Sequence, residues 1–164
     1  MINYPDRSHN QPSRINSDQQ EESLMAQMTP AQIAEFLAVP RHAIVATNRA
    51  DGPPQLSPVW YLYEAGKLYI SVSAAAVKVK NLQRDPRITV CVDAGHPDAR
   101  YVILQGSATI LAPEHPEQEP MRWRIIQHYY TTEQEALDYY ASVRDSASAL
   151  IVLDPTKVTS QDFT

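Results

Sequence analysis

The chain has 164 residues, 43% of them hydrophobic and 20% charged, which is the composition of one ordinary globular domain and excludes a wholly disordered protein. Its formal charge of −5 leaves no diffuse positive field for nucleic acid, so any anion has to be bound by a local arrangement. No apolar run approaches a membrane span and residues 1–28 lack the apolar stretch of a secretory signal, so the expected location is the cytoplasm with no membrane contact.

Residues 1–28 are rich in Asn, Gln and Ser and contain no Val, Phe or Trp. They cannot bury enough surface to offset their ordering entropy and read as a mobile tail, leaving residues 29–164 as the folded domain. "MTPAQIAEFLAVP" opens it. Thr29 stands as an N-cap with Pro30 at the first helical position and Gln32 three after the cap, while Ile33, Phe36 and Leu37 form one apolar face, so a short helix ends before Pro40. "HAIVATNR" and "PQLSPVWYLYE" flank the turn residues Asp51 and Gly52 and predict a hairpin. "EAG" then separates the second run from "KLYISVS". Three strands are expected to meander antiparallel, with Pro58 on an edge or bulge.

"AAAVKVKNLQRDP" has a helix-compatible pattern that ends at Pro86, opening after Ser73, and the strand-like "RITVCVD" follows. Cys91, the one cysteine, reads as a buried reduced thiol. "ARYVILQGSATILAP" is a further strand with a bulge or bend at Gly106. Two helices follow in "HPEQEPMRWRIIQHYY" and "TTEQEALDYYASV", the second capped by Thr132 with Glu135 at the third position. "RWR" reads as a packed helix with solvated arginines. "ASALIVLDPTKVTSQDF" returns to the strand pattern, interrupted at Pro155. The fold class is mainly β (α+β): a closed or partly closed barrel of about six or seven antiparallel strands with a few short helices.

Lys78 and Lys80 stand two apart, so on a helix they point about 200° away from each other and only one can face a given ligand. The first turn of that helix offers free N–H groups and the positive dipole end, and residues 74–76, all Ala, remove steric obstacles; phosphate capture by Lys78 competes with a reading of two surface lysines. Trp60, in "QLSPVWYLY", is either core or one wall of a site in which Pro58 frees backbone polar groups for a flat heterocycle. The histidines show no metal-ligand spacing, and no nucleophile elbow, P-loop or dinucleotide glycine fingerprint occurs.

Four pieces occur in order: "ATNRADGPPQLSPVWY", "LYISVS", the K-x-x-N-L-x-x-D-P-R element from Lys78 to Arg87, and "YVILQGSATI". Together they resemble the signature region of the split β-barrel flavin and deazaflavin oxidoreductases, the relatives of pyridoxamine 5′-phosphate oxidase. The resemblance covers about residues 30–112, and "LIVLDPTKV" is similar to the family's last strands. It implies a homodimer with the coenzyme in a groove between two barrels. By that resemblance Lys78 meets the coenzyme phosphate, Asn81 supports the turn, Ser57, Pro58, Val59 and Trp60 lie along the ring system, and Ser71, Val72 and Ser73 edge the same pocket. Lys80 or Arg84 would serve a long anionic tail. Many flavin-binding members carry Ser or Arg just before the lysine, where this chain has Ala76 and Val77; with "SPVWY" and "NLQRDPR" this favours the deazaflavin coenzyme F420, with FMN the alternative. The implied activity is a reductase acting on a small conjugated organic molecule, with no residue assigned as catalytic and no metal. The rival reading is a non-catalytic protein that binds or carries a flavin, a deazaflavin or heme.

Overall fold

A computed structural model describes residues 27–163. Seven strands form a single antiparallel sheet: β1 (Ala43–Thr47), β2 (Gln55–Val59), β3 (Leu62–Glu64), β4 (Lys67–Ser73), β5 (Arg87–Asp93), β6 (Tyr101–Leu111) and β7 (Ser148–Gln161). Helices α1 (Pro30–Leu37), α2 (Val77–Arg84), α3 (Gln118–Tyr129) and α4 (Glu133–Val143) are the helices of the described residues, and none is long and apolar enough to cross a membrane. The mainly β fold class expected from the strand pattern is the one observed.

Local signals act where they were expected. In α1 and α4 the full capping box forms, Thr29 with Gln32 and Thr132 with Glu135, each reciprocally satisfying orphan N–H donors of the first turn. Gly52 in the β1–β2 loop and Ala65–Gly66 between β3 and β4 all take positive φ, the left-handed geometry that a tight hairpin turn demands. Met28, counted with the tail on composition, is buried in the core and its N–H donates to Ser160 Oγ at 3.1 Å; residues 1–26 lie outside the described part.

The expected three-stranded meander does not form. The sheet order is β2-β1-β5-β6-β7-β4-β3, so β2 and β3 are its two outermost strands although only Trp60 and Tyr61 separate them in sequence. Two edges joined by so short a link must lie close together, which curls the sheet into a split barrel. Pro58 sits on edge strand β2 opposite Ile44, where its missing N–H leaves no central ladder position empty.

Alternation along the strands fills the barrel. Ile88, Val90 and Val92 of β5 are buried together with Ala43 and Val45, Leu68 and Ile70, Val102 and Leu104, and Ile151 and Leu153. Cys91, on the other face of β5, is half-buried rather than core, and burial with the neighbouring Asp93 charge pushes its thiol pKa up. Outside the barrel, α3 packs across β4 and β7 with α4 against it, and Ile125, Ile126, Ala136 and Leu150 make a second buried apolar layer there.

β7 runs unbroken through Pro155 and accommodates it by a bulge: Gln105 pairs with Lys157 and Gly106 with Pro155, leaving Thr156 as the extra residue. Gly106 is required by the closeness of that crossing, since a Cβ on it would meet the Asp154 carbonyl oxygen at 2.7 Å and Leu153 Cδ1 at 3.0 Å. A backbone oxygen cannot rotate away as a side chain can. Gly106→Ala is therefore expected to destabilise the fold by about 1–3 kcal/mol, read as a lower urea midpoint at unchanged m-value; an unchanged midpoint would show that the bulge relaxes freely.

Candidate functional site

The segment after β4 is built by a turn and an uncapped helix. Ser73 Oγ accepts the N–H of Ala75 at 3.3 Å and the Ser73 carbonyl accepts the N–H of Ala76 at 2.9 Å. Helix α2 thus starts at Val77 rather than straight after Ser73. Its N-cap is Ala76, which offers no side-chain acceptor, so its first-turn donors are not satisfied in the way those of α1 and α4 are.

The two lysines differ as the helical period requires. Lys80 is exposed, whereas Lys78 is half-buried; desolvation lowers the Lys78 pKa, and its ammonium makes no hydrogen bond or ion pair among the described residues. One helical turn further on, Asn81 is 5% exposed and does more than support a turn. Its Nδ2 donates to Thr47 Oγ1 at 3.0 Å and to Gln55 Oε1 at 3.2 Å, which fixes α2 against β1 and β2. Lys78 shares the helix face of Asn81 by its three-residue spacing, and Ser57 shares the strand face of Gln55 by its two-residue spacing. Ser57 Oγ is buried without a hydrogen-bond partner. An unpartnered cation and an orphaned hydroxyl therefore stand on surfaces that Asn81 holds together.

The rest of "NLQRDPR" is structural. Arg84 donates to the Asn48 carbonyl, and Asp85 accepts Asn48 Nδ2 at 2.9 Å and both Arg87 Nε and Nη2. The Arg87 bonds first, then Asn48, hold the Asp85 carboxyl well below the usual carboxylate range.

Trp60 stands at the seam between β2 and β3. Its indole stacks on Tyr129 at 4.7 Å and 9°, meets Tyr130 edge-on and Tyr139 at 5.3 Å, and its Nε1 donates to His42 Nε2 at 3.2 Å. Tyr129 in turn donates to the Arg41 carbonyl at 2.5 Å and accepts the Tyr61 N–H at 3.1 Å, satisfying a backbone donor in the link between the edge strands. Trp60, Ser71, Val72 and Ser73 line one pocket of about 230 Å³, whose far side is made by α3, α4 and the segment leading into β7. Ser57, Pro58, Val59, Lys78, Lys80 and Asn81 do not line it. Pro58 is exposed on the outer face and Val59 belongs to the core.

The residues that sequence reasoning missed are those of the far wall. Arg122, read as solvated, is 6% exposed and donates to the carbonyls of Ser146 at 3.3 Å and of Val143. Arg124 is ion-paired with Glu64. The "RWR" spacing carries one usable signal: residues two apart on a helix point to opposite sides, so only one of these arginines could be solvated. Among the described residues no group of three or more His, Cys, Asp or Glu side chains could hold a metal ion.

A family model described as pyridoxamine 5′-phosphate oxidase matches residues 29–162. Among solved structures, the chain is similar to a conserved hypothetical protein from Mycobacterium tuberculosis, with 25% identity over 86% of this chain and 88% of that chain and a TM-score of 0.71. It is also similar to an F420 reductase (22% identity, 76% and 93% covered, TM-score 0.58). A third likeness is to a pyridoxamine 5′-phosphate oxidase-related, FMN-binding protein from Nostoc punctiforme (17% identity, 84% and 87% covered, TM-score 0.59).

Proposed function

Because this chain belongs to the pyridoxamine 5′-phosphate oxidase family, we propose that it is an oxidoreductase that holds a deazaflavin or flavin coenzyme and reduces a small conjugated organic substrate. The observation that carries the reading is the half-buried, unpartnered Lys78 ammonium on the helix face that Asn81 pins beside the Ser57 strand face. These donors fit a phosphate: a cation with no counter-ion, a hydroxyl with no partner and an uncapped helix start. Lys78, Ser57 and the first turn of α2 would hold the anionic end, and the link from Pro58 to Trp60 with Ser71 and Ser73 would flank the ring.

The coenzyme supplies the hydride chemistry when bound. The chain's residues bind, orient and exclude water. Tyr61 is fully buried, its hydroxyl donates to the Val39 carbonyl at 3.2 Å, and burial first, then the neighbouring Tyr129, raises its pKa, so its role is packing rather than proton delivery. We favour coenzyme F420 over FMN because Ala76 and Val77 add no side-chain donor for a compact phosphate.

A second copy of the chain completes this reading. Leu56, 65% exposed, and Ile44, 41% exposed, lie on the outer face of the sheet with Pro58 and Cys91 as ladder neighbours of Ile44, an apolar patch of the kind that protein interfaces cover. A cytoplasmic homodimer with no nucleic-acid partner is proposed accordingly.

The test is to titrate coenzyme F420, FMN and heme separately into the coenzyme-free protein and then follow oxidation of the reduced coenzyme with a panel of enones and quinones. Saturable binding with turnover is expected. Binding of F420, FMN or heme without turnover on any substrate would favour a carrier, and failure to bind all three would remove the reading.

A further inference from the structure

The pocket beneath α3 and α4 contains a charge that the coenzyme reading does not use. Its walls are largely apolar, from Trp60, Val72, Ile125, Ile126, Tyr139 and Val143, yet Arg122 also lines it. A guanidinium has five N–H donors and stays charged at any physiological pH. Here one donates to the Ser146 carbonyl and one to the Val143 carbonyl, which also shapes the end of α4 as part of the pocket wall. The other donors have no hydrogen-bond partner among the described residues. The nearest carboxylate, Glu119, approaches to 3.6 Å but is 47% exposed and accepts the Tyr140 hydroxyl as well. The guanidinium also lies over the Tyr140 ring at 5.9 Å, so Arg122 is a buried cation whose one ion pair is long and whose remaining donors are free for an anionic ligand.

We propose that this pocket binds a small, mostly apolar molecule through a single carboxylate set against Arg122. Volume and chemistry both limit the ligand. About 230 Å³ is room for one ring with a short acid arm. A planar guanidinium matches a carboxylate in two parallel hydrogen bonds, the aliphatic walls exclude a strongly polar body, and Trp60 with Tyr139 at one side provides aromatic faces. Trp60 and Ser71 to Ser73 belong both to this pocket and to the wall assigned to the coenzyme ring, so a molecule seated here lies next to that ring. As a binding site the pocket stands alone; its assignment as the substrate class, a conjugated carboxylate, rests on the reductase reading.

Isothermal titration of the full chain with cinnamate and with its neutral isostere cinnamamide tests the site. The acid is expected to bind at least about tenfold more tightly than the amide, as a charge-assisted contact predicts, and Arg122→Gln is expected to erase that preference. Since Arg122 also ties down the end of α4, Tyr139→Ala provides a second variant: it opens the apolar wall and should weaken both probes by a similar factor while the acid preference persists. Equal binding of acid and amide by the unaltered protein would overturn the inference, as would a preference that survives in folded Arg122→Gln. Displacement of the acid by saturating FMN would show the pocket to be the coenzyme's own and would overturn it too. Acid binding in a protein that binds no coenzyme removes the reductase reading and leaves the site standing, whereas coenzyme binding without acid binding does the reverse.

Discussion

Lys78→Ala is expected to weaken coenzyme binding about 12- to 150-fold, and Lys80→Ala by no more than about threefold. The larger effect follows from the loss of a charge-assisted contact to phosphate, worth about 1.5–3 kcal/mol where the partners are shielded from water. Lys78 is half-buried and lacks a protein counter-ion among the described residues, so a bound phosphate would complete its shielding. Lys80 is exposed on another face of the same helix, where solvent and salt screen its charge. Fluorescence titration of both variants with F420 and with FMN, at two salt concentrations, separates local capture from general attraction. Equal weakening by the two substitutions would mean that the helix contributes only a diffuse field, and Lys78 would lose its assigned role.

Tyr61→Ala is expected to destabilise the protein by about 3–5 kcal/mol, the cost of removing a large aromatic from a close-packed interior. Among the described residues Tyr61 is the largest of the fully buried side chains, and it sits in the link that joins the two outermost strands. Its hydroxyl is anchored on the Val39 carbonyl, just after α1, at 3.2 Å, and its N–H donates to Tyr129 Oη on α3 at 3.1 Å. The substitution thus empties the core and removes the hydroxyl tie to Val39, while the backbone N–H to Tyr129 is kept. Tyr61→Phe keeps the ring and loses only the hydroxyl contact, so it should cost about 1 kcal/mol. Urea denaturation of the pair distinguishes packing from hydrogen bonding: near-equal losses would mean that the hydroxyl, not the ring, holds the seam.

Much of this architecture can be read from the chain because much of it is decided within a few residues. Thr29 with Gln32 and Thr132 with Glu135 each act through contacts that their immediate neighbours reveal. Strand pairing is another matter. "WYLY" looks like one continuous run into the next hairpin, yet β2 pairs with β1 and β3 with β4, and nothing local to Trp60 or Tyr61 records that the sheet divides between them. Lys78 was separable from Lys80 by helical period alone. Arg122 was not separable from a surface arginine, because its burial depends on carbonyls 21 and 24 residues away. The fold divides the residues singled out on sequence: Trp60 and Ser71 to Ser73 line a pocket, whereas Ser57 and Lys78 stand on surfaces locked by Asn81.

Strand β7 lies between β6 and β4 in the sheet and pairs with Tyr101–Leu111 along one side and with residues 68–73 along the other. During synthesis, every earlier strand emerges from the ribosome before this one. Until residue 161 is free, the nascent chain can assemble only a four-stranded β2-β1-β5-β6 piece and a separate β3–β4 hairpin, each with an unprotected edge. A chaperone that shields those edges would be needed most while β7 is still being made.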